Sequence, residues 1–110
     1  NNTPYEQQMR TLQEYIKIHC VHPISISDLC KVLAVSPQHV CRIFKKTLGI
    51  HPTEYINQVR IELACSMLLY SNLSIKEIGE KCGFQNTSYF CKKFKQFEHL
   101  TPLEYRNSVI

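Results

Sequence analysis

The chain has 110 residues, 44% of them apolar, and a formal net charge of +4 at pH 7. This length suits one domain or two very small lobes. The sequence shows no apolar run of about 18 residues and no signal-like amino terminus, so neither membrane insertion nor secretion is expected. Residues 29–53 and 81–97 carry eight of the thirteen Lys and Arg residues and no acid. These two basic segments favour two contacts with a polyanion, although solvated helix faces explain the charge equally well.

The first half of the chain predicts three helices. Thr3 and Ser27 are candidate N-caps for the first two, and Ser36 with the proline after it begins the third. Gly49 suits a left-handed stop at the end of that third helix. Only about three residues separate the second helix from the third, which is typical of a helix-turn-helix. The predicted bounds are Pro4 to about Cys20, Asp28 to about Ala34, and Pro37 to Leu48.

The longest predicted helix, Pro52 to Tyr70, lies between the two halves of the chain. Its eighteen residues from Thr53 to Tyr70 would form a rod of about 27 Å. From Ile61 onward it is apolar nearly all round, which predicts burial between other elements. Three shorter helices follow it, so the fold class is all-α with about seven helices. They are capped by Ser74, Asn86 and Thr101 and run from Ile75 to about Cys82, from Thr87 to Phe97, and from Leu103 to about Asn107.

An internal repeat is the strongest sequence signal. Residues 26–35 match residues 75–84 at an offset of 49, and residues 40–55 match residues 90–105 at an offset of 50. The offset changes within the turn, where a change of length costs little. The pattern predicts two helix-turn-helix subdomains, residues 1–51 and 71–110, joined by a rigid linker helix over residues 52–70.

Two long motifs in these units are similar to a known family. SPQHVCRIFKKTLGIHPTEYINQVRIELA and GFQNTSYFCKKFKQFEHLTPLEYR closely resemble the DNA-binding domain of AraC/XylS-type bacterial transcription regulators, over roughly residues 24–107. The resemblance implies transcriptional control, more often activation, with the second helix of each unit in the major groove. It implies double-stranded DNA as the partner, with RNA polymerase as a possible further partner. It also implies that an effector or dimerisation domain lies elsewhere in a longer regulator.

The chain departs from the family pattern at three positions. Gly79 stands where Ala is usual, which predicts a helix weakened by ~1 kcal/mol. His99 stands where Gly is common, opposite Gly49 in the repeat, which predicts a strained left-handed residue. Lys92 replaces a usual Arg, and because a point charge replaces a bidentate fork, we expect softer base choice.

The recognition helices are expected to read bases with the faces opposite their core residues. Val40, Ile43 and Phe44 are predicted to face inward in the first unit, and Phe90 and Phe94 in the second. The predicted base contacts are Gln38, Cys41, Arg42, Thr87, Ser88, Cys91 and Lys92. The predicted phosphate contacts are Ser36, Lys45, Lys46, Asn86, Lys93 and Lys95.

The linker helix bears on how the duplex is read. Its length is close to the ~34 Å pitch of the duplex, so one chain is expected to read two successive major-groove segments from one side. If the units cannot align without strain, the DNA should bend at a cost of order 1–6 kcal/mol. For Arg60 two interpretations stay open, a DNA contact and a structural salt bridge.

Six cysteines bear on compartment and chemistry. They form no CxxC pair, and the Cys-x-His pairs lack zinc-ligand spacing, so we interpret them as reduced thiols in a cytosol, with no metal. Cys41 and Cys91 occupy equivalent positions beside basic residues, and one hypothesis is that oxidation or alkylation there blocks binding. The alternative is that each small side chain touches a base methyl group.

Two other classes of function are alternatives to DNA binding. An enzyme is not expected, because no acid–base cluster, phosphate loop or nucleophile triad is evident, and no cofactor is expected either. A helical module that binds an acidic protein is the other alternative, since basic helices also bind such partners.

Overall fold

The computed structural model describes residues 4–108, which form seven α-helices and no strand. The all-α prediction is confirmed, while the candidate cap Thr3 lies outside the described residues. The helices are α1 (Pro4–His19), α2 (Ile26–Leu33), α3 (Pro37–Leu48), α4 (Pro52–Tyr70), α5 (Ile75–Lys81), α6 (Thr87–Glu98) and α7 (Pro102–Ser108).

Contacts between residues divide the chain into two compact units. The first is Asn1–Ile56 and the second is Asn57–Ile110, so the division falls inside α4. The first turn of α4 therefore packs with α1 to α3, and the rest of that helix packs with α5 to α7. The separation into two subdomains and a distinct linker helix over residues 52–70 stays a prediction.

Helix α2 begins two residues earlier than the sequence pattern indicated. The cap is Ser25, not Ser27, because Ser25 forms a capping box with Asp28. The Asp28 N–H donates to Ser25 Oγ at 3.2 Å, and the Ser25 N–H donates to Asp28 Oδ2 at 2.8 Å. The Ser25 N–H and the Ser25 hydroxyl both donate to the Asp28 carboxylate, and these two hydrogen bonds hold the pKa of Asp28 below its ordinary value. Two orphan donors at the helix end are thus satisfied reciprocally, whereas a serine at position 27 has no acidic residue three positions later.

The predicted repeat extends to the helix ends. Ser74 and Glu77 form the same capping box on α5 as Ser25 and Asp28 do on α2, with both pairs related by the offset of 49. Ser36 caps α3 and Asn86 caps α6, as predicted, each through its side-chain oxygen. The residues with left-handed backbone also correspond between the units: Ala34 (φ 56°) and Gly83 (φ 102°), then Gly49 (φ 74°) and His99 (φ 65°). The predicted left-handed conformation of His99 is therefore confirmed.

The core of the first unit lies between α1, α2 and α3. One face of α1 is buried, with Leu12 and Ile16 fully inaccessible to solvent. Phe44 of α3 is also fully buried, and its ring centroid lies 5.6 Å from that of Tyr55 in the first turn of α4. This packing leaves the opposite face of α3 to solvent.

The core of the second unit forms between α4, α5 and α6. Phe90 and Phe94 of α6 are fully buried, and the ring centroids of Phe84 and Phe90 are 5.0 Å apart. Helix α7 closes the unit through Arg106, whose Nε donates to Leu68 O at 3.0 Å and whose Nη2 donates to Ser71 O at 3.3 Å. The guanidinium thus satisfies the Leu68 carbonyl in the last turn of α4 and the Ser71 carbonyl that directly follows the helix.

The second half of α4 is less buried than its apolar sequence suggested. Ile61, Ala64 and Leu68 are almost completely inaccessible and lie on one face of the helix. Tyr70, however, is 84% exposed. The expectation of burial on all sides is therefore wrong, since α5 and α6 cover one face of the helix.

Candidate nucleic-acid interface

Helix α3 has a buried face and a polar face, as its sequence predicted. Val40, Ile43 and Phe44 are fully buried and attach the helix to the rest of the first unit. Ser36 Oγ accepts a hydrogen bond from the His39 N–H at 3.1 Å and thereby fixes the start of the helix. The residues predicted to contact DNA lie on the remaining surface: Ser36, Gln38, Arg42, Lys45 and Lys46 are exposed, and Cys41 is partly exposed.

Arg42 is oriented by a side chain that the sequence argument did not select. Its Nη1 lies 3.5 Å from His39 Nδ1, while His39 Nε2 lies 3.3 Å from Gln8 Oε1 of α1. A guanidinium group can only donate, so Nδ1 accepts the hydrogen bond and Nε2 carries the proton that is donated to Gln8. The Tyr5 ring also packs beside the imidazole, with 5.8 Å between the centroids. Helix α1 therefore supports the predicted base reader through His39.

Cys41 lies beside the start of α4. Its Sγ is 4.0 Å from Nε2 of His51, and Nδ1 of the same imidazole accepts a hydrogen bond from the Thr53 N–H at 3.2 Å. His51 thus acts as the N-terminal cap of α4 and at the same time faces the thiol. Both sulfur and imidazole lie on the solvent-accessible side of the unit.

Helix α6 has the same two faces. Phe90 and Phe94 are fully buried, as predicted, and Asn86 Oδ1 accepts a hydrogen bond from the Tyr89 N–H at 2.9 Å. The predicted contacts Asn86, Thr87, Ser88, Lys92 and Lys95 are exposed, whereas Cys91 and Lys93 are partly exposed. Each recognition helix therefore presents three basic side chains on its own accessible surface.

Tyr89 is a second residue that the sequence argument missed. It is 42% exposed in the first turn of α6, and its Oη accepts a hydrogen bond from Nδ2 of Asn57 at 3.1 Å. Asn57 is only 4% exposed, so this contact satisfies a buried amide. The ammonium of Lys93 lies 5.5 Å from the centre of the Tyr89 ring and 3.2 Å from Gln96 Oε1. Lys93 is thus held partly against its own helix.

The repeat contained a signal for both missed residues. His39 and Tyr89 are related by the offset of 50, and each places a polar ring in the first turn of a recognition helix. Each ring is also held by a residue from another helix, Gln8 in the first unit and Asn57 in the second. Since those partners lie 31 and 32 residues away along the chain, helical periodicity alone does not identify them.

Two further sequence interpretations can be compared with the structure. Burial raises the pKa of the Cys91 thiol, which lowers its thiolate fraction and opposes the proposed reactivity of that residue. The guanidinium of Arg60 lies over the ring of Phe84, a buried core residue of the second unit, at 5.8 Å from the ring centroid. Arg60 therefore has a structural contact, whatever its role toward DNA.

Comparison with known proteins defines the class. A family model described as a helix-turn-helix domain matches residues 29–108. The fold and this match together identify the chain as an AraC-type helix-turn-helix domain: it belongs to the DNA-binding domains of bacterial transcriptional regulators, a family of regulators rather than enzymes. The resemblance found in the sequence is thereby confirmed.

Particular relatives agree with this assignment. The chain is 34% identical over 107 residues to the regulatory protein PocR of Salmonella typhimurium, covering 97% of this chain and 35% of PocR. An AraC-type transcriptional regulator from Chromobacterium violaceum superposes with a TM-score of 0.90 at 26% identity, covering 97% of this chain and 96% of that one. The DNA-binding domain of AdpA, solved in complex with a target DNA, shares the fold with a TM-score of 0.84 at 20% identity, covering 97% and 93%.

The chain spans about a third of the length of PocR. The family to which this chain belongs acts in DNA-binding transcriptional regulation. None of the helices described within residues 4–108 is long and apolar enough to cross a membrane.

Proposed function

We propose that the chain binds double-stranded DNA sequence-specifically by inserting α3 and α6 into successive segments of the major groove. The observation that carries the proposal is the duplicated arrangement of each helix, with aromatic and aliphatic anchors buried on one face and polar and basic side chains exposed on the other. The 19 residues of α4 correspond to about 28 Å, which is comparable to the ~34 Å between successive groove faces.

Within the proposed interface, the first unit reads bases with Gln38, Cys41 and Arg42. Arg42 suits a guanine and Gln38 an adenine, because their donor and acceptor patterns match those base edges in the major groove. His39 Nδ1 accepts from Arg42 Nη1 alone, so the other guanidinium N–H groups stay available for a bidentate contact. Ser36, Lys45 and Lys46 contact phosphates, which contribute affinity and salt dependence but no sequence information.

The second unit reads bases with Thr87, Ser88, Cys91 and Lys92, and contacts phosphates through Asn86, Lys93 and Lys95. Lysine is its one charged base reader in this scheme, so we expect the second half-site to be less strictly specified than the first. Exchanging Lys92 for Arg should sharpen the preference at one base pair, since a planar fork replaces a point charge.

A genomic-fragment selection followed by footprinting would identify a target site, and variants on that site would test the proposal. Arg42→Ala should lose ~1–3 kcal/mol of binding free energy and relax the preference at a single base pair. Lys46→Ala is the matched control, because loss of a phosphate contact should weaken all sequences equally and reduce the salt slope by about 1. Uniform loss with Arg42→Ala would contradict its assignment as a base reader.

The contribution of His39 can be separated from that of Arg42. His39→Phe keeps a ring in the same place but removes the acceptor for Arg42 and the donor for Gln8. It should relax specificity at the same base pair as Arg42→Ala, and the two changes together should cost less than their sum. Additive effects would show that His39 acts elsewhere.

We propose further that the chain is the DNA-binding part of a longer cytosolic regulator that acts as an activator. An effector or dimerisation domain elsewhere in that protein, and a contact with RNA polymerase, complete the proposal. The supporting observation is that PocR is about three times as long as the region that this chain matches. A promoter–reporter assay with and without the protein tests activation, and reduced transcription from the selected site would contradict it.

A further inference from the structure

Tyr89 belongs to neither set of predicted DNA contacts, although it lies in the first turn of α6 and is 42% exposed. A buried amide holds its hydroxyl, because Nδ2 of Asn57 on α4 donates to Tyr89 Oη at 3.1 Å and Asn57 is only 4% exposed. Both residues belong to the second unit. A phenol has one proton to donate and lone pairs with which to accept. Since Asn57 donates to the oxygen, the phenol proton is not used in this contact and can be donated to another acceptor.

The ring of Tyr89 shares one flank of α6 with a lysine. Tyr89, Lys93 and Gln96 follow one another at spacings of four and three residues, which makes them neighbours on the helix surface. The ammonium of Lys93 lies 5.5 Å from the centre of the Tyr89 ring and 3.2 Å from Gln96 Oε1. By helical spacing, this flank lies between the buried face that contains Phe90 and the exposed Lys92 on the opposite side.

The position of the hydroxyl on this flank indicates what it contacts. When a recognition helix enters the major groove, its outermost residues meet base edges, and residues on its flanks lie nearer the sugar–phosphate backbone. Tyrosine hydroxyls are among the groups that donate to phosphate oxygens. The Tyr89 ring is also fixed in place, by Asn57 at its hydroxyl and by the Phe84 ring, whose centroid is 6.1 Å away. A neutral donor held on the flank therefore fits a phosphate oxygen better than a base edge.

The equivalent ring of the first unit is used differently. Gln8 corresponds to Asn57 at the offset of 49, and His39 corresponds to Tyr89 at the offset of 50. In the first unit, however, Nε2 of His39 faces Gln8 and Nδ1 faces Arg42. An imidazole has only these two polar atoms, so both are engaged within the protein. The ring of the first unit therefore supports a base reader, whereas the ring of the second unit keeps a proton to donate.

We propose that Tyr89 is a further DNA contact of the second unit, in which the hydroxyl donates a hydrogen bond to a phosphate oxygen and Asn57 is the positioning residue. This role rests on the function proposed above, because it requires α6 to lie in the major groove. A hydroxyl carries no charge, so the contact adds affinity without releasing a counterion. A phosphate contact also carries no sequence information. Loss of Tyr89 should therefore differ in its effect from loss of a lysine and from loss of a base reader.

The test measures binding of a fluorescein-labelled duplex of mixed sequence by fluorescence anisotropy at a series of KCl concentrations. Phosphate contacts dominate binding to such a duplex, so no target site has to be known. Tyr89→Phe keeps the ring and removes the hydroxyl. It should lower the association constant about tenfold at every salt concentration, which is the factor of one hydrogen bond to a charged acceptor at the weak end of its range. The slope of log K against log salt should not change.

Two further variants give the reference values. Tyr70→Phe is the matched control, because Tyr70 is a tyrosine of the same unit that is 84% exposed and lies at the end of α4, outside the recognition helix. It should bind as the original chain does. Lys95→Ala removes a charged phosphate contact and should reduce the salt slope by about 1. A reduced slope in Tyr89→Phe, or equal losses in Tyr89→Phe and Tyr70→Phe, would overturn the role of the hydroxyl.

A double-mutant cycle with Asn57 separates a DNA contact from a structural role. If the hydroxyl acts only by holding Asn57, Tyr89→Phe has no further effect on binding once Asn57 is alanine, and that result would overturn the contact. If the hydroxyl meets a phosphate, Tyr89→Phe still weakens binding roughly threefold or more in the Asn57→Ala background. Thermal unfolding followed by circular dichroism checks that each variant is folded at the assay temperature. Should Asn57→Ala not be folded, Asn57→Ser takes its place in the cycle.

Failure of this role can be distinguished from failure of the proposed function. Steeply salt-dependent binding by the original chain, with Tyr89→Phe unchanged, would overturn the Tyr89 contact and leave the interface on α6 intact. Binding that does not respond to salt would contradict the proposed function and the contact together. On a target site found by selection, Tyr89→Phe should weaken all single-base variants equally, unlike His39→Phe. A preference altered at one base pair would overturn the assignment to phosphate.

Discussion

Substitution of Gly79 by alanine distinguishes the effect of helix propensity from that of tertiary packing. Gly79 lies within α5 and is fully covered by the second unit. Propensity alone predicts that alanine stabilises the helix by ~1 kcal/mol. The structure predicts the opposite sign, because of the residue that packs against this position.

The steric term comes from Phe90. A Cβ atom at Gly79 would lie 2.8 Å from Phe90 Cδ2, 3.1 Å from Cγ and 3.4 Å from Cβ. Phe90 is fully buried and has the rings of Phe84 and Phe94 at 5.0 Å and 6.0 Å, so it has little room to move away. Overpacking of this kind costs about 1–3 kcal/mol. After the propensity gain is subtracted, we expect Gly79→Ala to lower the free energy of unfolding by ~1 kcal/mol.

Urea denaturation followed by circular dichroism measures this change. The control is the same substitution in a Phe90→Leu background, where the smaller side chain relieves the contact. In that background Gly79→Ala should be neutral or stabilising by up to ~1 kcal/mol, since only the propensity term is left. The corresponding positions of the first unit are Cys30 and Val40, where a larger residue on α2 is combined with a smaller one on α3.

The expected sign reversal makes the argument refutable. If Gly79→Ala raises stability by ~1 kcal/mol in the original chain, helix propensity decides this position and the packing argument fails. Equal effects in the two backgrounds would also contradict it, because coupled neighbours are expected to be non-additive by about 0.5–3 kcal/mol.

Three further predictions concern caps and buried polar contacts. His99→Gly should raise stability by ~0.5–1 kcal/mol, because the exposed His99 has a left-handed backbone with φ 65° that glycine adopts without strain. Gly49→Ala, at φ 74°, should lower stability by a similar amount. Unchanged melting temperatures in both variants would contradict backbone strain at these positions. The pKa of Glu77 is held below its ordinary 4.5 by hydrogen bonds from the N-cap serine of α5. The stability that this carboxylate contributes is therefore complete above about pH 4.5 and is lost as pH falls through the lower folded-state pKa. Glu77→Gln should make the unfolding free energy less dependent on pH in that range. An unaltered dependence on pH in the variant would contradict this. Asn57→Ala and Tyr89→Phe should each destabilise the second unit, with a coupling of ~1 kcal/mol in a double-mutant cycle; simple additivity would mean that their hydrogen bond contributes nothing.

Local patterns accounted for most of the fold. The bounds of α3 and α4 and the caps at Ser36, Ser74 and Asn86 follow from residues within one helical turn of each other. The left-handed conformation of His99 followed from its match to Gly49 in the repeat. Caps and periodicity are determined by neighbours along the chain, so they can be recognised without coordinates. The cap of α2 was predicted at Ser27 and lies at Ser25. This cap too is a local feature, because the Ser25–Asp28 spacing of a capping box can be read from the sequence.

The surfaces of the recognition helices were also predictable in outline. Burial of Val40 and Phe44 in one unit and of Phe90 and Phe94 in the other followed from helical spacing, and the exposed faces opposite them followed in turn. Which exposed residues contact bases stays a prediction. Base contact depends on the position of a second molecule, which the chain does not encode by itself.

The sequence alone therefore determined the helices and the polarity of their faces, because these depend on residues close together along the chain. It also determined the duplication of the helices, because a repeat is a match between two stretches of the same sequence. Only the tertiary structure decided how particular side chains are used. It brings Gln8 to His39, Asn57 to Tyr89 and His51 to Cys41. It also reverses the expected effect of Gly79 by placing Phe90 against it. Such contacts join residues from different helices, and their geometry is set by how those helices pack, which spacing within a single helix does not report.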